Sequence, residues 1–349
     1  MEDARIAGYR RVAQVLAGLD DGALAERLAS ATELGAGIGG RTSLLHVGDL
    51  PVFVKRVPLT DLERRPDHRG STANLFELPT FYQYGVGSTG FGAWREVAAH
   101  TTTNQWVLGG RSPRFPLLYH WRVLPDRPPN TSADDIRAAV DYWDGSPAVR
   151  GRLEAIAGAT ASVVLFLEHL PQTLHEWLLT RFDEGESAAA AAVEFADREL
   201  HALVDVLRTH GIVHFDAHPH NVLTDGRRLY LGDLGLLLDP RFELAEPEAV
   251  FLAAHRDWDR YDVQRYLVNW LCRRLLPDVD REIVIRDPAG LPAHAAALIA
   301  RYARPVQIMN AFYDRLVHGP KTTPYPAAAL GAAALGAAAG RGYPAQPVP

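Results

Sequence analysis

The chain has 349 residues, 47% of them apolar and 22% charged, with a formal net charge of −6. This length suits one two-lobed domain or two small ones, and the acidic balance excludes the basic footprint of a nucleic-acid binder. A lone cysteine, Cys272, excludes an internal disulfide framework and fits a reducing compartment. MEDARIAGYRR lacks the shape of a signal peptide and no apolar run reaches membrane-spanning length, so a cytoplasmic location without membrane insertion is expected.

Residues 1–32 read as a helical brace. Ile6, Tyr9, Val12 or Ala13, Leu16 and Leu19 recur at helical spacing, and Asp21 is the expected cap of a second short helix. Between 33 and 58, Gly35, Gly37, Gly39 and Gly40 crowd one turn, and LPVFVKRV follows as a buried strand carrying Lys55. Glycines let a backbone approach phosphates and a strand-borne lysine can neutralise them, although Gly-rich hairpins and snorkelling lysines are common for plainer reasons. Residues 60–92 are broken by Pro66, Gly70 and Pro79 and are rich in aromatics. So long an irregular segment is expected to be an insertion acting as a lid or recognition loop, with room for a protein partner.

A helix is expected in FGAWREVAAHTTTNQWVL, a strand over 115–125, and two helices in IRAAVDYWDG and AVRGRLEAIA. SVVLFLEHL reads as a strand leading into a helix with Leu174, Trp177 and Leu178. A long amphipathic helix then ends at Gly211. The stretch 211–239 reads as strand GIVHF, a polar loop interrupted by Pro219, strand NVLT, an Asp225-Gly226 turn and a returning strand LYLGD. Such a hairpin gathers Asp216, Asn221 and Asp233, and their oxygens can bind Mg²⁺ and orient a hydroxyl.

His214-Phe215-Asp216, Asn221 five residues on, and Gly232-Asp233-Leu234-Gly235 resemble the catalytic and metal-binding loops of the protein-kinase-like phosphotransferases. The form Asp216-Ala217-His218-Pro219-His220-Asn221 is most similar to the aminoglycoside and choline kinase branch. The resemblance implies an α+β, bilobal fold: a small β-rich N-lobe over 33–168 and a larger, mainly helical C-lobe over 169–320; the Pro- and Gly-rich ends of 321–349 read as a loose tail with a weak Ala-rich helix in its middle. It implies ATP and Mg²⁺ as cofactors. Asp216 would contact the acceptor hydroxyl with His218 near it, and Asn221 and Asp233 would hold the metal. The glycine cluster and Lys55 would hold phosphates, although the spacing G-x-G-x-G-G departs from G-x-G-x-x-G. Glu96 is the candidate partner of Lys55, ahead of Glu63 and Glu77, which lie in the broken segment. Glu168, His169 and Leu170 would form the hinge that meets adenine through its main chain.

His214, Asp216, His218 and His220 also alternate, which on a regular strand would gather a metal cluster for a hydrolase; Pro219 argues against such a strand. After Asp233 no long Ser/Thr-bearing segment precedes Ala245-Glu246-Pro247-Glu248, which is read as a coincidental match to a kinase motif. A small-molecule acceptor is therefore favoured over a protein, with a Ser/Thr protein kinase and an inactive nucleotide-binding scaffold as alternatives. Asp257, Asp259 and Asp262 are read as caps of the helix that follows, ahead of a role bracing the catalytic loop.

Overall fold

The computed structural model describes residues 2–37 and 40–339. Among them the chain is mixed α+β, with 13 helices, a five-stranded antiparallel sheet and a small three-stranded sheet. No helix in this range is long and apolar enough to cross a membrane.

Two N-terminal helices, α1 (Glu2–Ala17) and α2 (Asp21–Ala29), precede the large sheet. Asp20 rather than Asp21 caps α2, because its side chain reaches the Ala23 amide at 2.8 Å. The sheet contains β1 (Thr32–Gly37), β2 (Gly40–Val47), β3 (Leu50–Leu59), β4 (Leu118–Pro125) and β5 (Ala161–Glu168), in spatial order β1-β2-β3-β5-β4. Its β3 and β5 strands are apolar on both faces. Val52, Val54, Val164 and Phe166 enter the main core, whereas Val57, Leu59, Val163 and Leu165 pack with Trp94 and Val97 of α4 (Ala93–Leu108). The period of two sends Lys55 to the α4 face together with Val57 and Leu59.

The brace has a specific anchor. Arg5 of α1 donates to both carboxylate oxygens of Glu168 and to the Pro113 and Phe115 carbonyls. It thereby ties the first helix to the end of β5, a guanidinium fork matched to a carboxylate.

Residues 60–92 are more ordered than their sequence suggests. A one-turn helix α3 (Asp61–Arg64) opens the segment, and Thr60 and Glu63 form a capping box. Glu63 pairs with Arg152 of α6 (Pro147–Ala157), which follows α5 (Ala133–Tyr142), and accepts from the Ala93 amide at 2.7 Å. One buried carboxylate therefore holds both ends of the segment. Tyr82, Phe91, Trp143 and Val149 make a separate small core beneath it.

Beyond β5 the chain is mostly helical. β6 (Gln172–Thr173), α7 (Leu174–Asp183) and α8 (Glu186–Thr209) lead to the hairpin of β7 (Val222–Thr224) and β8 (Leu229–Leu231). GIVHF is not the expected strand: it makes a single bridge, Val213 to Leu238, and Phe215 turns into the left-handed region at φ 67°. The turn at Asp225-Gly226 is a longer loop, since Thr224 pairs with Leu229 and Asp225 Oδ1 accepts the Arg227 and Arg228 amides.

After α9 (Glu246–Ala254), α10 (Trp258–Leu275), α11 (Arg281–Arg286) and α12 (Ala293–His318), the Ala-rich middle of the expected tail forms the helix α13 (Ala327–Ala339). Leu330 of α13 is fully buried and Tyr325 stacks on His255, so apolar contact holds this Ala-rich helix to the core. Residues 340–349 lie outside the described range.

Candidate active site

The loop that follows Val213 is built on Asp259. Its carboxylate accepts the His214 amide at 2.7 Å and the Phe215 amide at 3.0 Å. Two amides can converge on one side chain only where the backbone bends sharply, which accounts for the left-handed Phe215. The expected capping role for this aspartate is corrected accordingly: Asp259 braces the loop, and Asp257, at the cap position, makes no side-chain cap bond. Asp262, another expected cap, is instead buried against Arg265 at 2.9 Å.

Bent this way, the loop points Asp216 outward. Asn221 Nδ2 donates to Asp216 Oδ2 at 2.9 Å and to the Asp216 carbonyl at 3.0 Å, closing the loop on itself. His218 Nε2 lies 3.8 Å from Asp216 Oδ1. Burial pushes the Asp216 carboxyl up to about 8, the Asp233 and Asp262 charges add to this, and Asn221 and Lys55 oppose it. Burial, then the neighbouring His220, lowers His218 and favours its neutral form.

Lys55 sits between the sheet and the hairpin. Its Nζ is 2.8 Å from Glu96 Oε1 and 2.8 Å from Asp233 Oδ1. Glu96 rather than Glu63 or Glu77 reaches it, because α4 packs on the face of β3 that carries Lys55. Burial works against the ammonium, but Asp233 and Glu96 outweigh it and raise its pKa. Burial would likewise raise Asp233, yet Lys55 holds that carboxyl down at about 2. Burial raises Glu96 despite Lys55. His100, one turn on and fully enclosed, has no hydrogen-bond partner for either ring nitrogen among the described residues.

Lys55, Asn221 and Asp233 line two hollows at once. One, of about 360 Å³, runs under the sheet past Leu34, Phe53 and Leu167 to the Glu168–Leu170 segment. The other, of about 550 Å³, contains Asp216 and His218. Glu168 and Leu170 thus belong to the first hollow, and Asp216 to the second. The Glu168 carboxylate itself is taken up by Arg5 and by the Leu117 amide.

The expected glycine cluster is brought to this place only in part. Gly37 lines the second hollow, but Gly35 lines a different surface depression with Glu33, Arg41 and Asp126. Gly40 serves packing: a Cβ there would stand 2.1 Å from the Arg56 carbonyl of β3. Gly39 lies outside the described residues. A second glycine-rich run, Gly85-Val86-Gly87-Ser88-Thr89-Gly90-Phe91-Gly92, crosses the site instead. A Cβ on Gly85 would stand 2.3 Å from Asp216 Oδ1, and one on Gly90 would stand 2.8 Å from the Gly235 carbonyl. The alternating glycines of this run were the available signal for a close backbone approach.

The histidines do not form a metal cluster. His214 is buried with Nε2 3.0 Å from the Gly232 carbonyl, His218 faces Asp216, and His220 packs on His175. Among the described residues no group of three or more His, Cys, Asp or Glu side chains is arranged to hold a metal ion.

Oxygen donors for a hard cation are nevertheless present. Asn221 uses its amide nitrogen on Asp216, and Asp233 uses Oδ1 on Lys55 and the Gly235 amide. Asn221 Oδ1 and Asp233 Oδ2 have no partner among the described residues, and the Asp233 side chain is 40% exposed. This donor set fits Mg²⁺, which usually takes one or two protein oxygens and keeps the remainder for phosphate and water.

No protein-family model matches the chain, and no curated protein is similar enough to count as a match.

Proposed function

We infer that the chain is an ATP- and Mg²⁺-dependent phosphotransferase of bilobal, protein-kinase-like build that moves the γ-phosphate to a hydroxyl group on a small molecule. The observation that carries this reading is Lys55, held 2.8 Å from both Glu96 and Asp233 where the two hollows meet. A fixed cation between carboxylates, with Asp216 and Asn221 across the junction, suits phosphate chemistry, which needs positioning and charge neutralisation above all.

The apolar hollow suits a flat base between Phe53, Leu167 and Leu223, with the main chain at 168–170 to bond its edge. Lys55 then meets the α- and β-phosphates. Asn221 and Asp233 would hold Mg²⁺, which when bound offsets the phosphate charge. Asp216 orients the acceptor hydroxyl. The acceptor oxygen bonds to the γ-phosphorus as that atom's bond to the β,γ-bridging oxygen breaks, and the hydroxyl proton passes to the ionised form of Asp216, which the Lys55 charge favours, leaving ADP. Asn221 fixes the Asp216 rotamer, and His218 is near enough to share the proton through water.

The second hollow supports a small acceptor. Its wall is formed by residues 85–92 and by Arg152 and Ile156 of α6, which leaves about 550 Å³ beside Asp216. A drug-sized molecule fits such a space. The test is calorimetric binding of Mg²⁺ with ADP, followed by ADP release on a panel of alcohols, sugars and amino sugars. Transfer by wild type and none by Asp216→Asn, with nucleotide affinity kept, is the expected result. Failure of the wild type to bind any nucleotide would sink the reading, and transfer only to protein in cell extract would reassign the acceptor.

A further inference from the structure

We propose that the strap Gly85–Gly92 is a second phosphate-holding loop, which grips the γ-phosphate of ATP from the side opposite Lys55 through the amides of Gly87 and Ser88 and the Ser88 hydroxyl. The proposal rests on the nucleotide reading above and extends it to a segment 30 residues beyond Lys55 in the chain.

The strap is held at the site at several points. Gln83 Nε2 donates to the Leu236 carbonyl just before it. Gly85 lies against Asp216 and Gly90 against the Gly235 carbonyl, both so close that a side chain would collide. Thr89 is committed elsewhere: its amide donates to the Tyr82 hydroxyl at 3.2 Å, and its own hydroxyl is 3.0 Å from the same oxygen. Tyr82 is fully buried between Phe91 and Trp143, so this anchor is rigid. Beyond the strap, Glu63 holds the first amide of α4 and Arg95 pairs with Glu248 of α9 at 2.7 Å, both within the protein interior.

What the strap leaves free is suited to an anion. The Ser88 oxygen accepts the Gly90 amide at 3.1 Å, so its hydroxyl proton remains to be donated. The amides of Gly87 and Ser88 have no hydrogen-bond partner among the described residues. Gly87 takes φ 100°, a backbone that favours glycine, and both Gly87 and Ser88 line the cavity that holds Asp216.

An independent feature of the same cavity points to an anion. Arg152 lines it, is 2% exposed, and its Nε has no hydrogen-bond partner among the described residues. Its Nη1 is taken by Glu63 at 2.8 Å. A buried guanidinium with an unmet donor, in the same lining as Lys55, favours negative charge in this cavity. The β1–β2 turn contributes only Gly37 to this cavity among its described glycines, so the strap is better placed to hold the terminal phosphate.

The prediction separates ATP from ADP. Calorimetric titration of the full chain in Mg²⁺ with ADP and with the non-hydrolysable analogue AMP-PNP gives the preference for a third phosphate. Ser88→Ala is expected to weaken AMP-PNP about tenfold, as loss of a hydrogen bond to a charged group does, and to leave ADP within about twofold. Gly87→Ala, which cannot hold φ 100° without strain, should act in the same direction, while Gly35→Ala, outside this cavity, should change the preference little. Thermal unfolding of each variant reports whether the fold is kept. If ADP binds and the AMP-PNP-to-ADP ratio is unchanged in both strap variants, the strap is a wall and not a phosphate loop. If the wild type binds neither nucleotide, the strap assignment falls together with the reading it rests on.

Discussion

The two hollows that meet at Lys55 are made from different kinds of chain. The smaller is a product of regular structure: β1, β2, β3 and β5 on one side and the β7–β8 hairpin on the other, with apolar side chains at alternate positions. The larger is bounded by irregular segments, the 211–239 loops and the 85–92 strap, whose backbones approach within van der Waals distance. Regular strands make an apolar slot for a flat group, and only loops bring backbone amides and a carboxylate close together around one point. The proposed function puts base binding in the first hollow and chemistry in the second, and the predictions test whether the two can be uncoupled.

The largest effect is expected from Asp216→Asn, which keeps the shape of the side chain and removes the proton acceptor. Phosphate transfer should fall by about 10³-fold while ADP affinity holds, as measured by single-turnover kinetics beside calorimetry. Equal loss of both would mean that the hollows are not separable.

Next is Glu63→Ala, which strands the buried Arg152 and releases both ends of the 60–92 segment. Removing one partner of a buried ion pair costs about 3–5 kcal/mol, read as a shift in denaturant midpoint. An unchanged midpoint would show that the segment is not held by this carboxylate. Phe53→Ala, in the apolar hollow, should weaken ADP about tenfold and leave the rate at saturating nucleotide nearly unaltered.

A smaller effect is the pH dependence. In the folded chain the Asp216 carboxyl keeps its proton up to about pH 8, whereas an unfolded aspartate loses it near pH 4. The folded state therefore binds more protons across that window, and stability contributed by the protonated form is lost as pH rises from about 4 to about 8. In nucleotide-free protein the fall in Tm between pH 5 and pH 8.5 should be shallower for Asp216→Asn than for wild type. Parallel curves would mean that Asp216 is ionised throughout. The smallest effect is expected from Gly35→Ala: no atom lies within 4 Å of the added Cβ, so nucleotide affinity should move by no more than about twofold.

Much of the site is legible because it is local. Asp216, Asn221 and Asp233 lie within one loop and hairpin, and Lys55 and Glu96 announce themselves as a charge in an apolar strand and a carboxylate in an amphipathic helix. Asp259 was misread because an aspartate near a helix start looks like a cap. The signal that it serves another loop is a pair of amides 44 and 45 residues earlier. GIVHF looked like a strand because its composition is β-branched and aromatic, but the two bonds to Asp259 require the bend at Phe215. Glu63 ranks behind Glu96 as a partner for Lys55 and Glu248 reads as part of a coincidental motif, yet each is buried against an arginine distant in sequence, Arg152 and Arg95.

By itself the sequence determined most of the helices and strands, the acidic and amide residues of the 211–239 hairpin, and the lysine opposite them, since these depend on periodicity and spacing over a few residues. Only the tertiary structure decided which glycines reach Asp216, which carboxylate braces its loop, and that Arg5 ties the first helix to the end of β5. Those contacts join residues tens to more than a hundred positions apart. Chain spacing says nothing about such pairs until packing of the apolar faces has brought them together.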